Sequence, residues 1–257
     1  MRVDVNAFVG AYPYRRLPGA SVEGLLHAME RTGIDVAWVS HLPSVFWRDP
    51  MAGNAWLFQA TASSPQLRPV PAVHPGLAGW ERVLGEAADR GAPAVRCDPL
   101  YYGIDAAGPE MRVLAAACGA ARRPLVVAVR LEDGRQRHVN DRVPELAAAA
   151  VRALIRSDED VRLVITHADR GFVEEVHFGS TPEEAARLWW DVSWIWGPPE
   201  DQLETLLGTI GVDRFVFGTG QPLRIPESSV AKLDLLELPP GQRAAIESGN
   251  LAQGLAA

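Results

Sequence analysis

Val3-Asp4-Val5-Asn6-Ala7-Phe8 opens the chain, and Phe215-Val216-Phe217-Gly218-Thr219-Gly220-Gln221-Pro222 lies near its other end. The two read as the first and last of a series of short apolar strands. Runs of strand length recur at 2–5, 36–40, 68–73, 94–97, 125–129, 161–165, 191–195 and 214–217. They are near-continuous in hydrophobicity rather than alternating, as parallel strands covered on both faces should be. Helical segments with recognisable ends lie between them. Ser21 can cap a helix running to Arg31, and Gly33 stops it. Asp49-Pro50 opens another, Pro109 starts 110–122 and Pro144 starts 145–155. Gly33-Ile34-Asp35 enters the second strand much as Gly211-Val212-Asp213 enters the eighth. Eight strands alternating with helices predict an α/β fold, a single (β/α)₈ TIM-like barrel spanning residues 1–257. A doubly wound open sheet is the alternative, disfavoured because no Gly-x-Gly-x-x-Gly follows a strand.

Composition sets the class. The 257 residues, 47% of them hydrophobic, suffice to bury roughly 70–75% of the surface that the unfolded chain exposes. A net charge of -7 without any Lys/Arg-rich stretch argues against nucleic acid and membrane as partners. Cys97 and Cys118 are too few for a disulfide framework and suggest a reducing compartment. The first strand begins almost at Met1, which leaves no room for a signal peptide, and no apolar run approaches the roughly 20 residues of a membrane span. A cytoplasmic, acidic, soluble protein is expected.

In such a barrel the pocket is lined by the C-terminal ends of the strands and the loops after them. Of the six histidines, His41, His74, His138 and His167 fall there, while His27 and His177 lie on predicted helices. His167, ending Val164-Ile165-Thr166-His167, is the firmest candidate.

The chain resembles the amidohydrolase-related branch of the metal-dependent hydrolase superfamily, which includes decarboxylases and lactonases. The carriers are the Asp4-Val5-Asn6 opening, Gly53-Asn54, Val95-Arg96, Ile165-Thr166-His167, Asp191-Val192-Ser193, the 217–222 ending and Gly249-Asn250. The resemblance implies an amidohydrolase-type barrel with a metal centre. A His-x-His pair on the first strand would bind the ion, because residues i and i+2 share a face. Here those positions hold Asn6 and Phe8. The fifth-strand His is replaced by a run ending in Arg130, and the eighth-strand Asp aligns with Gly220 or Thr219. Of the implied ligands only His167 stands in place, so the expectation is no cofactor. The alternative is one divalent metal such as zinc, held by regrouped histidines with Asp191.

Strands one and eight should give an uncharged quadrant of Asn6, Phe8 and Thr219 or Gly220. Strands four to six present Arg96, Arg130 and His167, a set suited to gripping a carboxylate or phosphate. Tyr101 in 99–103 offers an apolar wall, and His138 ends a polar segment that could close the mouth. The expected catalytic residues are His167, Arg130 and Asp191; the expected substrate contacts are Asn6, Arg96, Tyr101, His138 and Thr219. Against this stands a plain structural reading, in which Arg130 pairs with Asp133 and Arg96 with Asp98 or Asp191. Cys97 and Ser193 end strands, but neither has an assigned base.

Two functions follow. One is a hydrolase for a small anionic ester, lactone or amide, with a lyase or decarboxylase variant of the same grip. The other is a catalytically silent barrel that binds a small carboxylate or supports a catalytic relative. The Trp-rich 189–196 segment could pack beneath helices or form a contact in a homo-oligomer or a hetero-oligomer with a related barrel.

Overall fold

Ser21 opens the first helix as its sequence position implies. Its hydroxyl accepts from the Gly24 N–H at 3.1 Å, and Gly33 closes the helix at φ 64°, a conformation that costs glycine nothing. The computed structural model describes residues 1–254. Its strands are β1 (Val3–Val9), β2 (Val36–His41), β3 (Leu67–Pro69), β4 (Val95–Arg96), β5 (Leu125–Ala128), β6 (Leu163–Thr166), β7 (Leu188–Asp191) and β8 (Phe215–Val216). Its helices are α1 (Val22–Thr32), α2 (Asn54–Thr61), α3 (Glu81–Asp89), α4 (Pro109–Ala120), α5 (Ala148–Arg156), α6 (Arg170–Phe178), α7 (Pro182–Ala185), α8 (Gln202–Ile210), α9 (Pro226–Leu235), α10 (Pro240–Ala244) and α11 (Asn250–Gly254). Among the described residues no helix is long and apolar enough to cross a membrane.

Strands β1 to β3 pair in parallel, as do β4 to β8, and two seams join the sets into a barrel. At one seam, Val5 N–H donates to Phe217 O at 3.0 Å and Gly220 N–H to Asn6 O at 2.8 Å. At the other, Ala72 bridges Arg96, with Arg96 N–H donating to Pro71 O at 2.9 Å. Alternation along the strands sorts the core into layers. Leu125, Val127, Leu163, Ile165, Leu188, Trp190, Phe215 and Phe217 face the helices. Val126, Val164, Trp189 and Val216 fill the barrel interior with Val3, Val5 and Trp38. A third cluster of Phe8, Tyr12, Leu42, Val45 and Leu131 sits over the C-terminal mouth, with Tyr14, Phe46 and Tyr101 packed on it.

The order of elements matches the sequence reading, while several boundaries move: β1 runs on to Val9 and β3 stops at Pro69. β7 ends at Asp191, where the apolar run had suggested that it begins. Hydrophobicity is unbroken from Leu188 through Trp190, so periodicity could not place the strand. Helix α5 starts at Ala148 rather than after Pro144. Leu146 N–H instead donates to Val129 O at 2.9 Å, keeping that segment against β5. Of the Trp-rich segment, Trp189, Trp190 and Trp194 are buried and Trp196 is exposed.

Trp190 is fully buried between sheet and helices. Trp190→Ala should lower unfolding free energy by about 3–5 kcal/mol in urea melts; a loss under about 1 kcal/mol would contradict this packing.

Candidate active site

Strand β1 carries a register irregularity between Asp4 and Ala7. Such a bulge re-aims the side chains beside it, and here it places Asp4 and Asn6 among the ends of β6, β7 and β8. Asp4 Oδ1 accepts from the backbone N–H groups of Asn6 and Thr219 at 2.9 and 3.0 Å, and Oδ2 accepts from the Thr219 hydroxyl at 2.6 Å. Burial nevertheless pushes its carboxyl up to about 6. Asn6 Nδ2 donates to Asp191 Oδ2 at 2.8 Å, and Asn6 Oδ1 accepts from Arg96 Nη1 at 3.3 Å. Asn6 thus ties an acid on β7 to a cation on β4. Asp191 also accepts from the Ser193 hydroxyl at 2.8 Å and from His167 N–H at 3.0 Å.

His167 follows β6 in a left-handed conformation, φ 57°, uncommon for a residue with a side chain. Its Nδ1 lies 2.7 Å from the Arg130 carbonyl oxygen. A carbonyl only accepts, so Nδ1 carries the proton and Nε2 presents a lone pair. Nε2 is buried and has no partner. Burial holds the imidazole down to about 4, with the charges of Arg96 and Arg224 adding to it and Asp191 opposing, so the ring is neutral at pH 7. Gly220, at φ 73°, lies directly against it. A methyl group there would sit 2.6 Å from Nε2. Gly218 is equally constrained, since its Cβ would meet Asp191 Oδ2 at 2.7 Å.

Two further cations reach this centre. Arg96 donates from Nε to Asp98 Oδ2 at 3.0 Å and rests 4.4 Å above the Phe8 ring, but its buried Nη2 has no partner. Arg224, just after β8, lies 4.5 Å over the Trp194 ring. Among the described residues its guanidinium forms no ion pair, and burial pulls its pKa down. The Trp194 ring is 5.4 Å from His167. Lys232 on α9 pins the same loop, donating to Val192 O and Ser193 O at 2.9 and 2.8 Å, and burial lowers it to about 7.

The structure therefore gathers Asn6, Arg96, His167, Asp191 and Thr219 into one network, none more than 2% exposed. It sends two expected residues, Tyr101 and His138, elsewhere. Arg130 pairs with Glu145 and Asp169, at 2.9 and 2.7 Å, while its guanidinium lies 5.6 Å from the Trp194 ring and its carbonyl reaches His167. It does not pair with Asp133, which Arg135 takes at 2.8 Å. Tyr101 donates to Asp141 at 2.9 Å within the roof of the mouth. His138 stacks on Tyr14, rings 4.7 Å apart, on the same roof. Glu132, bonded by Tyr12 and Arg15, fastens the roof from the other side. His41 and His74 sit in separate ring contacts with Trp56 and Tyr102. The quadrant expected to be uncharged contains Asp4. Asp4, Arg224 and Lys232 were not singled out by sequence. The paired glycines at 218 and 220 were the available signal that something approaches closely there.

No family model matches the chain, and no curated protein matches it. Solved structures of the same fold do. The 5-carboxyvanillate decarboxylase of Sphingomonas paucimobilis superposes with TM-score 0.73 at 13% identity, over 99% of this chain and 98% of its own. A dihydroxybenzoic acid decarboxylase from Polaromonas sp. JS666, with bound manganese and the inhibitor 2-nitroresorcinol, gives 0.73 at 13%, over 99% and 96%. A probable 2-pyrone-4,6-dicarboxylic acid hydrolase from Acinetobacter baumannii, with citric acid bound, gives 0.70 at 11%, over 99% and 98%. The chain has the (β/α)₈ barrel fold of these decarboxylases and hydrolases, the architecture expected from its sequence.

The manganese bound by the Polaromonas enzyme runs against the expectation that this chain carries no cofactor. His167 Nε2 is an open nitrogen donor, whereas the Asp191 oxygens already accept three hydrogen bonds. Among the described residues no group of three or more His, Cys, Asp or Glu is arranged to hold an ion. These side chains do not form a ligand set for a divalent cation.

Asp4 gives a pH signature of this network. Its folded value of about 6 exceeds the ordinary 3.8, so the native state keeps the proton longer. Its stabilising contribution is full below the unfolded value and is lost as pH rises through the folded one. The stability difference between wild type and Asp4→Asn should shrink by about 2–3 kcal/mol from pH 4 to pH 7, at about 1.36 kcal/mol per unit. A difference that stays flat in chemical melts would contradict the placement of Asp4.

Proposed function

We propose that this barrel is an enzyme that binds a small anionic ester, lactone or amide and hydrolyses it at His167. The observation that carries the reading is the partnerless Nε2 of a neutral His167 beside guanidinium nitrogens that also lack partners. A lone pair accepts a hydrogen bond from water, and the Nη2 group of Arg96 supplies a donor for developing oxyanion charge. In the reaction, Nε2 takes a proton from water as its oxygen bonds to the carbonyl carbon. The tetrahedral intermediate then breaks its bond to the leaving alkoxide or amine, which receives that proton from Nε2. At about 4 the imidazole is a weak base while the site is empty. A bound carboxylate would favour the charged ring and raise the value towards neutrality, so substrate anion and base strength are coupled. Asp191 and Asn6 hold the backbone and the acid–cation frame around this pair. The named activities of similar folds, decarboxylases among them, favour a second reading in which the carboxylate itself is the reacting group; release of carbon dioxide rather than of an acid distinguishes the two.

The test is a panel of small carboxylated lactones, esters and amides, assayed with and without added manganese. Turnover should appear and should fall at least about 100-fold in His167→Ala, with the melting transition retained. Turnover that is unaffected by His167→Ala, or a panel without turnover of any member, would overturn the proposal.

A further inference from the structure

Arg224 is the one half-buried arginine among the described residues that makes no side-chain hydrogen bond or ion pair. Arg130 has Glu145 and Asp169, Arg137 has Asp141, and Arg2 has Glu247. Arg187 donates to four backbone carbonyls, and Arg123 to the Ala92 carbonyl. Arg224 has only the Trp194 ring beneath it, at 4.5 Å, and its buried Nε is without a partner. A cation removed from water without a counter-charge is unfavourable, and an aromatic face compensates it in part.

The surroundings hold it there. Its backbone N–H donates to Gly220 O at 3.1 Å, closing a turn directly after the glycine that abuts His167. Trp194 is fixed from behind by the Lys232 bonds to Val192 and Ser193. The guanidinium is thus carried on a braced shelf beside His167, whose ring both Arg224 and Arg96 influence. Arg96 has Asp98 and Asn6 as partners and retains one free nitrogen, Nη2, whereas Arg224 feels Asp191 and Asp133 only at a distance and forms no ion pair.

From this we infer that Arg224 on Trp194 is a specificity-determining residue that receives a second anionic group, so that the preferred ligand is a small dianion such as a dicarboxylate. The inference rests on the reading of the His167 centre as a site for anions. One carboxylate meets Arg96 near the reacting position. The other meets the Arg224 fork bidentately, which a planar guanidinium suits better than an ammonium does.

Calorimetric titration of the full-length protein with succinate and glutarate, against butyrate and pentanoate, tests this. The dianions should bind roughly tenfold more tightly or better, the gain expected of one added charge-assisted pair. In Arg224→Met the ratio of dianion to monoanion affinity should fall towards one, and Arg224→Lys should restore part of it. Should Arg224→Met melt early, Trp194→Phe provides the second variant, with a weakened dianion preference expected from loss of the larger ring. Equal affinity for dianions and monoanions in the wild type would overturn the inference and leave the anion site standing. A preference that survives in Arg224→Met would overturn it as well. Binding of neither class would remove the anion site itself, and the inference with it.

Discussion

The hydrogen bond from His167 Nδ1 to the carbonyl of Arg130, at 2.7 Å, is the constraint on which the centre depends. It joins the ends of β5 and β6, decides which nitrogen carries the proton and leaves Nε2 as an acceptor. The left-handed backbone at His167 is sustained by a second bond, from its N–H to Asp191. Backbone strain at such a position costs of order 1–3 kcal/mol and persists only where surrounding contacts over-determine it. Here β5, β6 and β7 all contribute. Gly220 is the matching requirement from β8, because any side chain would strike Nε2.

The second organising fact is burial. Asp4, Asp191, Arg96 and His167 lie beneath a roof of Tyr12, Tyr14, Phe46 and Tyr101, itself latched by Glu132 and Asp141. Charges in such surroundings interact several-fold more strongly than in water, about 4 kcal/mol for a pair 4 Å apart at an effective dielectric of 20. That is why Asn6 matters although it is uncharged. Its amide satisfies Asp191 with one end and Arg96 with the other, so neither ion is left bare. It also explains why a half-buried guanidinium without an ion pair is informative. Long loops that seal a barrel mouth are commonly functional segments, and the 131–147 stretch supplies Leu131, Glu132, His138 and Asp141 to this roof.

Sequence reading went furthest where physics acts on both faces of an element. Buried parallel strands are apolar throughout, so Leu125–Ala128 and Leu163–Thr166 were legible. β7 was displaced because the same signal runs past its end. Residues at strand termini, Asn6, Arg96, His167, Asp191 and Thr219, were recognisable because a barrel dictates where such positions point. Arg130 shows the limit of that rule. It stands at the end of β5 over the Trp194 ring, yet two carboxylates distant in sequence already take its guanidinium. Tyr101 and His138 belong to loops, whose course periodicity does not reveal. A bulge in β1 leaves no compositional trace, so the role of Asp4 was hidden. Arg224 lies beyond the last strand in a stretch that carries no motif.

Heteronuclear NMR of histidine ¹⁵N shifts in the uniformly labelled protein at pH 7, with His167 assigned by comparison with His167→Ala, addresses the centre most directly. The account predicts a neutral ring protonated at Nδ1, with an unprotonated Nε2 whose shift moves when succinate is added. A ring protonated at Nε2, or doubly protonated in the ligand-free protein, would contradict it.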